Sequence, residues 1–288
     1  MQIGCTFPHA EVGDDPAGLR DFAQAAEALG YSHIMIYDHV LGAVHEGRDP
    51  PLTGPYHEGS PFHESLVTLG FLAGVTSRIG LVTGILILPQ RQTVLAAKQA
   101  AEVDILSRGR LRLGVGSGWN PVEYEGLGMG WDDRGARYEE QIELLRRLWD
   151  EPVLDYRGAH HRIDRAGLLP RPRRRIPIWM GGAHERVLRR AARLADGFIF
   201  SQGGPRSLES AARIRDYLEA EGRDPKTFGI EGILNFSDEP NLWGERLASW
   251  RKAGATYACI RTMGPERMGP DAQIAALRRY AEAVGLAP

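Results

Sequence analysis

Cysteine is scarce in this chain. Cys5 and Cys259 are the only two in 288 residues. So few thiols, with no recognisable export signal, point to a reducing cytoplasm rather than a disulfide-stapled secreted protein. Long apolar runs are missing too: none approaches the about 18 residues that a membrane span needs. Charge of one sign is not in excess, because 35 basic against 37 acidic residues gives 35 − 37 = −2. A nucleic-acid or anionic-membrane surface needs a basic surplus, so neither partner is expected. The N-terminal segment MQIGCTFP reads directly as a strand, which leaves no room for a signal peptide. No glycine cluster follows that strand. The turn is Pro8-His9-Ala10-Glu11, where a doubly wound dinucleotide fold would carry its fingerprint.

What is present is a hydrophobic content of 43%, enough for a packed core, set out in a strict alternation. Strands are expected at 2–7, 32–37, 78–88, 111–115, 176–180, 197–201, 228–234 and 257–261. Amphipathic helices separate them, with the last at 271–284. The segment 78–88 reads as one continuous apolar strand. Eight strand–helix units specify a (β/α)₈ TIM barrel, which takes about 250 residues plus insertions. We expect one domain, 1–288. Its insertions are a long loop after the second strand (40–62) and an irregular region before the fifth (151–175), the latter with a small hairpin over 153–163. A loop as long as 40–62 inside a compact domain is usually functional.

In such a barrel the chemistry sits at the C-terminal ends of the strands. That filter selects His9, Asp38-His39, Thr83-Gly84-Ile85, Gly116 to Glu123, Gly181-Gly182-Ala183, Ser201-Gln202 and Arg261. His39 could cap a loop, or it could move a proton near neutral pH; its position favours the second. Gly84 breaks a β-branched and aliphatic run, which signals a bulge or a close ligand approach, or else tight packing. Gly116-Ser117-Gly118 and Gly181-Gly182 can offer backbone N–H groups to an anion or a ring edge, and the second pair leads straight into a helix. Asp38 and Glu123 raise a glycosidase reading, which needs two facing carboxylates. The seventh strand ends in Asn235-Phe236 and completes no such pair. The histidines show no metal-ligand spacing, so no metal is expected. Arg171, Arg173, Arg174 and Arg175 lead into the start of the fifth strand, opposite the site, and read as a solvated loop.

Several of these motifs together resemble the bacterial luciferase-like monooxygenase superfamily, and within it the deazaflavin (coenzyme F420)-dependent oxidoreductase branch. They are Tyr37-Asp38-His39, Thr83-Gly84-Ile85, Gly114 to Glu123, the Pro170 to Gly182 pattern and Ala195-Asp196-Gly197. The likeness runs over essentially the whole chain. It implies a flavin-type ring at the barrel mouth, against a bulge or non-proline cis peptide at Gly84-Ile85. It places the ribityl phosphate near Gly181, Gly182 and Ala183, and Gly116, Ser117 and Gly118 along the tricycle. Asp38, Thr83 and Ser201 complete the cofactor set. His39 is placed beside the reacting ring, with Glu123 as its catalytic companion. Val40-Leu41 stand where some sugar-phosphate-oxidising relatives have tryptophan, which argues against a sugar phosphate. The expected activity is hydride transfer between F420 and a small organic substrate held under the 40–62 loop. The alternatives are an FMN-dependent monooxygenase of the same fold, or a flavin-binding barrel without its own turnover. Relatives are commonly dimers, so a homodimer is expected.

Overall fold

The computed structural model describes every residue except 183, 202, 203 and 288. The chain runs β1 (Gln2–Thr6), α1 (Pro16–Ala28), β2 (His33–Ile36), α2 (Ser65–Val75), β3 (Gly80–Thr83), β4 (Leu86–Ile87), α3 (Thr93–Leu106) and β5 (Leu111–Gly116). It continues with α4 (Pro121–Gly126), α5 (Arg134–Asp150), β6 (Leu154–Arg157), β7 (Arg162–Ala166), β8 (Ile178–Gly181), α6 (Glu185–Leu194) and β9 (Gly197–Phe200). It ends with α7 (Pro205–Ala220), β10 (Gly229–Asn235), α8 (Trp243–Lys252), β11 (Tyr257–Arg261) and α9 (Pro270–Val284).

The sheet order is β3-β2-β1-β11-β10-β9-β8-β5-β4, and β3 also pairs with β5, which closes the ring. All these pairings are parallel. Because β3 and β4 are halves of one barrel strand, eight positions result: the fold is the expected (β/α)₈ barrel. The hairpin β6–β7 forms a separate antiparallel pair in the insertion before β8. No helix among the described residues is long and apolar enough to cross a membrane.

One expectation fails in an informative way. The apolar run 78–88 is not one strand. It stops at Thr83, resumes at Leu86 and turns into a 3₁₀ segment over Leu88–Gln90. The peptide bond between Gly84 and Ile85, inside the gap, is cis. Residues with high strand propensity fill the run, so hydrophobicity alone cannot show the break.

Two cores hold the barrel. The larger lies between strands and helices and contains Cys5; the smaller fills the barrel and contains Met35, Val82, Trp179, Ile199, Ile233 and Cys259. The two cysteines sit on neighbouring strands. The register aligns Gly4 with Cys259 and Cys5 with Ile260. A one-residue offset sends their side chains to opposite faces of the sheet, so both are free buried thiols.

At the N-terminal end of the barrel interior lies a charged cluster. Glu231 of β10 is fully buried between Arg112 of β5 and His33 of β2, with a carboxylate oxygen on each. Arg112 also lies over the Trp179 ring, 4.0 Å from its centroid, and over Tyr257 at 4.5 Å. Burial pushes the Glu231 carboxyl up, but Arg112 and His33 more than reverse this and hold it below its ordinary range. Cys259 brings its thiol into the same group, within 4.8 Å of the His33 and Glu231 ligand atoms. Gly4 makes room for the His33 ring: a Cβ there would sit 2.3 Å from Nε2.

Candidate active site

The strand break forms the floor of the site, and glycines permit it. Thr83 Oγ1 donates to the Gly114 carbonyl at 2.7 Å, and a Cβ on Gly114 would lie 2.0 Å from the Thr83 carbonyl oxygen. A Cβ on Gly84 would meet Met35 Sδ at 2.3 Å. Ile85 then swings its side chain into space that two further glycines leave open. Side chains at Gly116 and Gly181 would meet it at 2.5 and 2.7 Å. Asp38 locks this arrangement. Its Oδ2 accepts from the Ile87 N–H at 2.8 Å, and its Oδ1 accepts from Ser65 Oγ at 3.0 Å and from Arg91 at 2.6 Å. Its carboxylate is therefore occupied by protein donors, and its observed work is to hold β4 in place.

A buried dyad stands above that floor. Asn120 caps the short helix α4 by accepting from the Val122 N–H at 3.0 Å. This sets Glu123 in the first turn, fully buried. Glu123 Oε1 accepts from the backbone N–H of Val40 at 2.6 Å and of Leu41 at 3.2 Å, and Oε2 lies 3.0 Å from His39 Nδ1. A carboxylate surrounded by donors can only accept, which assigns the proton of the imidazole to Nδ1. His39 Nε2, the remaining nitrogen, has no hydrogen-bond partner among the described residues. Tyr56, Phe62 and Trp119 surround the ring at centroid distances of 5.1, 5.0 and 5.5 Å. Trp119 in turn rests on Gly54, where a Cβ would lie 2.1 Å from its ring. Loop 40–62 is thus fastened to the β5 turn through an aromatic contact.

His39 opens onto a cavity of about 830 Å³, within the usual range for small-molecule and cofactor sites. Of the residues the sequence singled out, Tyr37, Asp38, His39, Gly84, Ile85, Gly118, Trp119, Ser201 and Arg261 line it. Thr83, Gly116, Ser117, Gly181 and Gly182 are not on that wall; Glu123 stands behind His39. Ala183 falls outside the described residues. Tyr56, Asp238, Arg246 and Trp250 also line the cavity, and the sequence reading missed them. Arg246 and Trp250 are four residues apart on α8, a spacing that places two side chains on one helix face. That was the available signal, but nothing in the sequence says the face meets the mouth. The arginine run is at the other end of the barrel. Arg174 pairs with Asp104 at 2.7 Å and Arg175 with Asp196 at 2.8 Å.

The cavity fits a planar heterocycle. Ile85, Ile87 and Ile233 offer apolar surface, and the Ile85 shelf exists only because Gly116 and Gly181 carry no side chain. Ser201 and Gly204, which precedes the Pro205 start of α7, put polar backbone at the mouth.

His9 has a different role from His39. It is buried beneath the mouth, with its ring nitrogens each 3.2 Å from a backbone N–H, of Tyr37 and of His63. A neutral imidazole can accept only one of these. Burial, with the His63 charge adding to it, lowers the His9 pKa to about 3. The unfolded chain therefore binds a proton at this site below about pH 6.5 that the folded chain does not. Stability is complete above that pH and is expected to fall by about 1.4 kcal/mol per pH unit from this group as pH drops towards 3. Thermal melts of the wild type and His9→Phe over pH 4–7 should show a shallower slope in the variant. Parallel slopes would remove His9 from the account.

The sequence model of one family, described as luciferase-like monooxygenase, matches residues 2–282. An F420-dependent glucose-6-phosphate dehydrogenase of Nakamurella multipartita is 32% identical over 215 residues, covering 72% of this chain and 60% of that protein. Among solved structures, an F420-dependent secondary alcohol dehydrogenase, in complex with an F420–acetone adduct, superposes with a TM-score of 0.79. It is 17% identical, and 98% of each chain is covered. The EDTA monooxygenase of Chelativorans sp. BNC1 superposes with a TM-score of 0.80 at 14% identity, over 100% of this chain and 95% of its own. At such identities the likeness shows the fold alone.

Proposed function

The chain belongs to the luciferase-like monooxygenase family, and from that premise we propose that it is an F420-dependent oxidoreductase, moving a hydride between the deazaflavin and a small organic substrate. The observation that carries this reading is the His39–Glu123 dyad, with a free imidazole nitrogen facing a cavity whose floor is the Gly84-Ile85 break. The F420-dependent relative at 32% identity supports the choice of cofactor.

In this reading Gly84, Ile85 and Gly118 hold the ring, with Ser201 and the Gly181-Gly182 turn beside its phosphate. When bound, the deazaflavin supplies a carbon centre that gives or takes a hydride. The chain's own residues do the rest. Glu123 fixes the His39 tautomer, so Nε2 can take a proton from a substrate hydroxyl or return one to a carbonyl oxygen. Tyr56, Phe62 and Trp119 exclude water from the imidazole and so strengthen its polar contacts. Asp38 and Arg91 keep the floor in register.

Helix α2 is apolar on all sides and leaves Val67 68% exposed, while neighbouring α3 leaves Leu95 51% exposed. A second copy of the chain would cover this face, and a homodimer is part of the proposal. The test is competitive titration of F420 and FMN into cofactor-free protein, with the mass of the same sample read by light scattering. F420 binding at least about tenfold tighter, on a particle of twice the chain mass, is expected. Tight FMN binding with no measurable F420 binding would replace this reading by the FMN-dependent monooxygenase.

A further inference from the structure

The charged side chains of the cavity wall are nearly all balanced. Asp38 is held by Arg91, and Arg246 faces Asp238 at 3.7 Å. Arg261, at the end of β11, is the exception. Its Nε donates to Asn235 Oδ1 at 3.0 Å, and its NH2 group donates to the same oxygen. That partner is neutral, and Arg261 forms no ion pair among the described residues. Glu11, a buried carboxylate on the turn after β1, forms no ion pair with it among the described residues: one oxygen accepts from the Gly264 N–H at 2.9 Å and the other has no hydrogen-bond partner there.

Beside Arg261 is a second polar group without a partner. The Tyr37 hydroxyl is buried and makes no hydrogen bond among the described residues. Burial pushes its phenol pKa up, the nearby Arg261 guanidinium opposes that shift, and both side chains line the same cavity. A buried, unsatisfied hydroxyl costs free energy until a ligand supplies its partner. A guanidinium and a phenol O–H are both donors. Two donors on one cavity wall, carrying one positive charge that no ion pair answers among the described residues, match a singly charged oxygen acid.

Position separates Arg261 from the floor. Around the eight-position barrel β11 lies three places from β8, which carries Gly181, and three from the β3–β4 strand, which carries Ile85. Arg261 therefore stands across the mouth from the shelf, and Tyr37, just past β2, reaches the cavity from beside the β3–β4 strand.

We propose that Arg261 and the Tyr37 hydroxyl form a carboxylate-binding subsite, so that the substrate is an organic acid rather than a neutral alcohol or ketone. The idea rests on reading the cavity as the substrate site of an oxidoreductase. Its test needs no cofactor, so a failure to bind F420 leaves it standing. Aromatic walls (Tyr56 and Trp250) make benzoate a suitable probe and benzamide its uncharged counterpart.

Calorimetric titration of the full chain should show benzoate bound at least about tenfold more tightly than benzamide. Arg261→Gln should weaken benzoate by about tenfold or more and leave benzamide within about twofold. Arg261→Lys keeps the charge and should retain a preference for benzoate; it decides the matter if the glutamine variant does not fold. Tyr37→Phe should weaken benzoate by about threefold to tenfold. Four results would overturn the proposal: no benzoate binding by the wild type, equal binding of acid and amide, tighter binding of phenyl phosphate than of benzoate, or an Arg261→Gln variant that loses cofactor affinity while keeping benzoate.

Discussion

His39→Ala is expected to lower turnover by about 10²–10⁴-fold, the usual worth of a positioned proton-transfer group, while leaving the cofactor dissociation constant within about twofold. The separation follows from geometry. The imidazole is only 10% exposed, and its Nδ1 is committed to Glu123 at 3.0 Å. His39 lines the cavity, and its Nε2 makes no hydrogen bond among the described residues, to the floor or elsewhere. A group that moves a proton stabilises the transition state without adding to ground-state binding, so the loss belongs in turnover. Steady-state kinetics beside cofactor titration reads both quantities. Turnover within about threefold of the wild type would return His39 to the role of a loop anchor.

The second large effect concerns stability. Glu231→Ala removes the shared acceptor of Arg112 and His33 at a fully buried position. It strands a guanidinium and an imidazole inside the barrel, and breaking a buried pair from one side typically costs about 3–5 kcal/mol. Replacing all three residues together by Glu231→Met, Arg112→Met and His33→Leu removes the uncompensated charge and should recover most of that loss. Denaturant unfolding of both variants measures the contrast. A loss below about 1 kcal/mol in Glu231→Ala would mean that the charges find water instead.

The barrel was legible because each unit repeats the same two signals, an apolar strand and an amphipathic helix with turn residues between them. The last helix, expected at 271–284, runs Pro270–Val284. The break at Gly84 was legible only as a glycine in a strand, since Ile85 looks like any other buried isoleucine until the glycines opposite are known. The short helix α4 was invisible at six residues, yet it positions Glu123. Site residues at strand ends follow from topology, which is why His39, Gly118 and Arg261 could be selected. Arg246 and Trp250 reach the cavity from a helix, and Tyr56 from an insertion. Their placement depends on how α8 and loop 40–62 pack, and no local pattern encodes that.

The Ile85 shelf has a consequence for how this chain can change over generations. Gly116 and Gly181 come from different strands, but they are the negative image of one side chain. An alanine at either position meets Ile85 at under 3 Å, so it is harmful alone and becomes tolerable once residue 85 is smaller. Neighbours that share one space have coupled, non-additive effects. The floor of the mouth should therefore be inherited and altered as a set, and a library that varies these positions singly would record two intolerant glycines where paired changes with residue 85 would open a lineage with a reshaped floor.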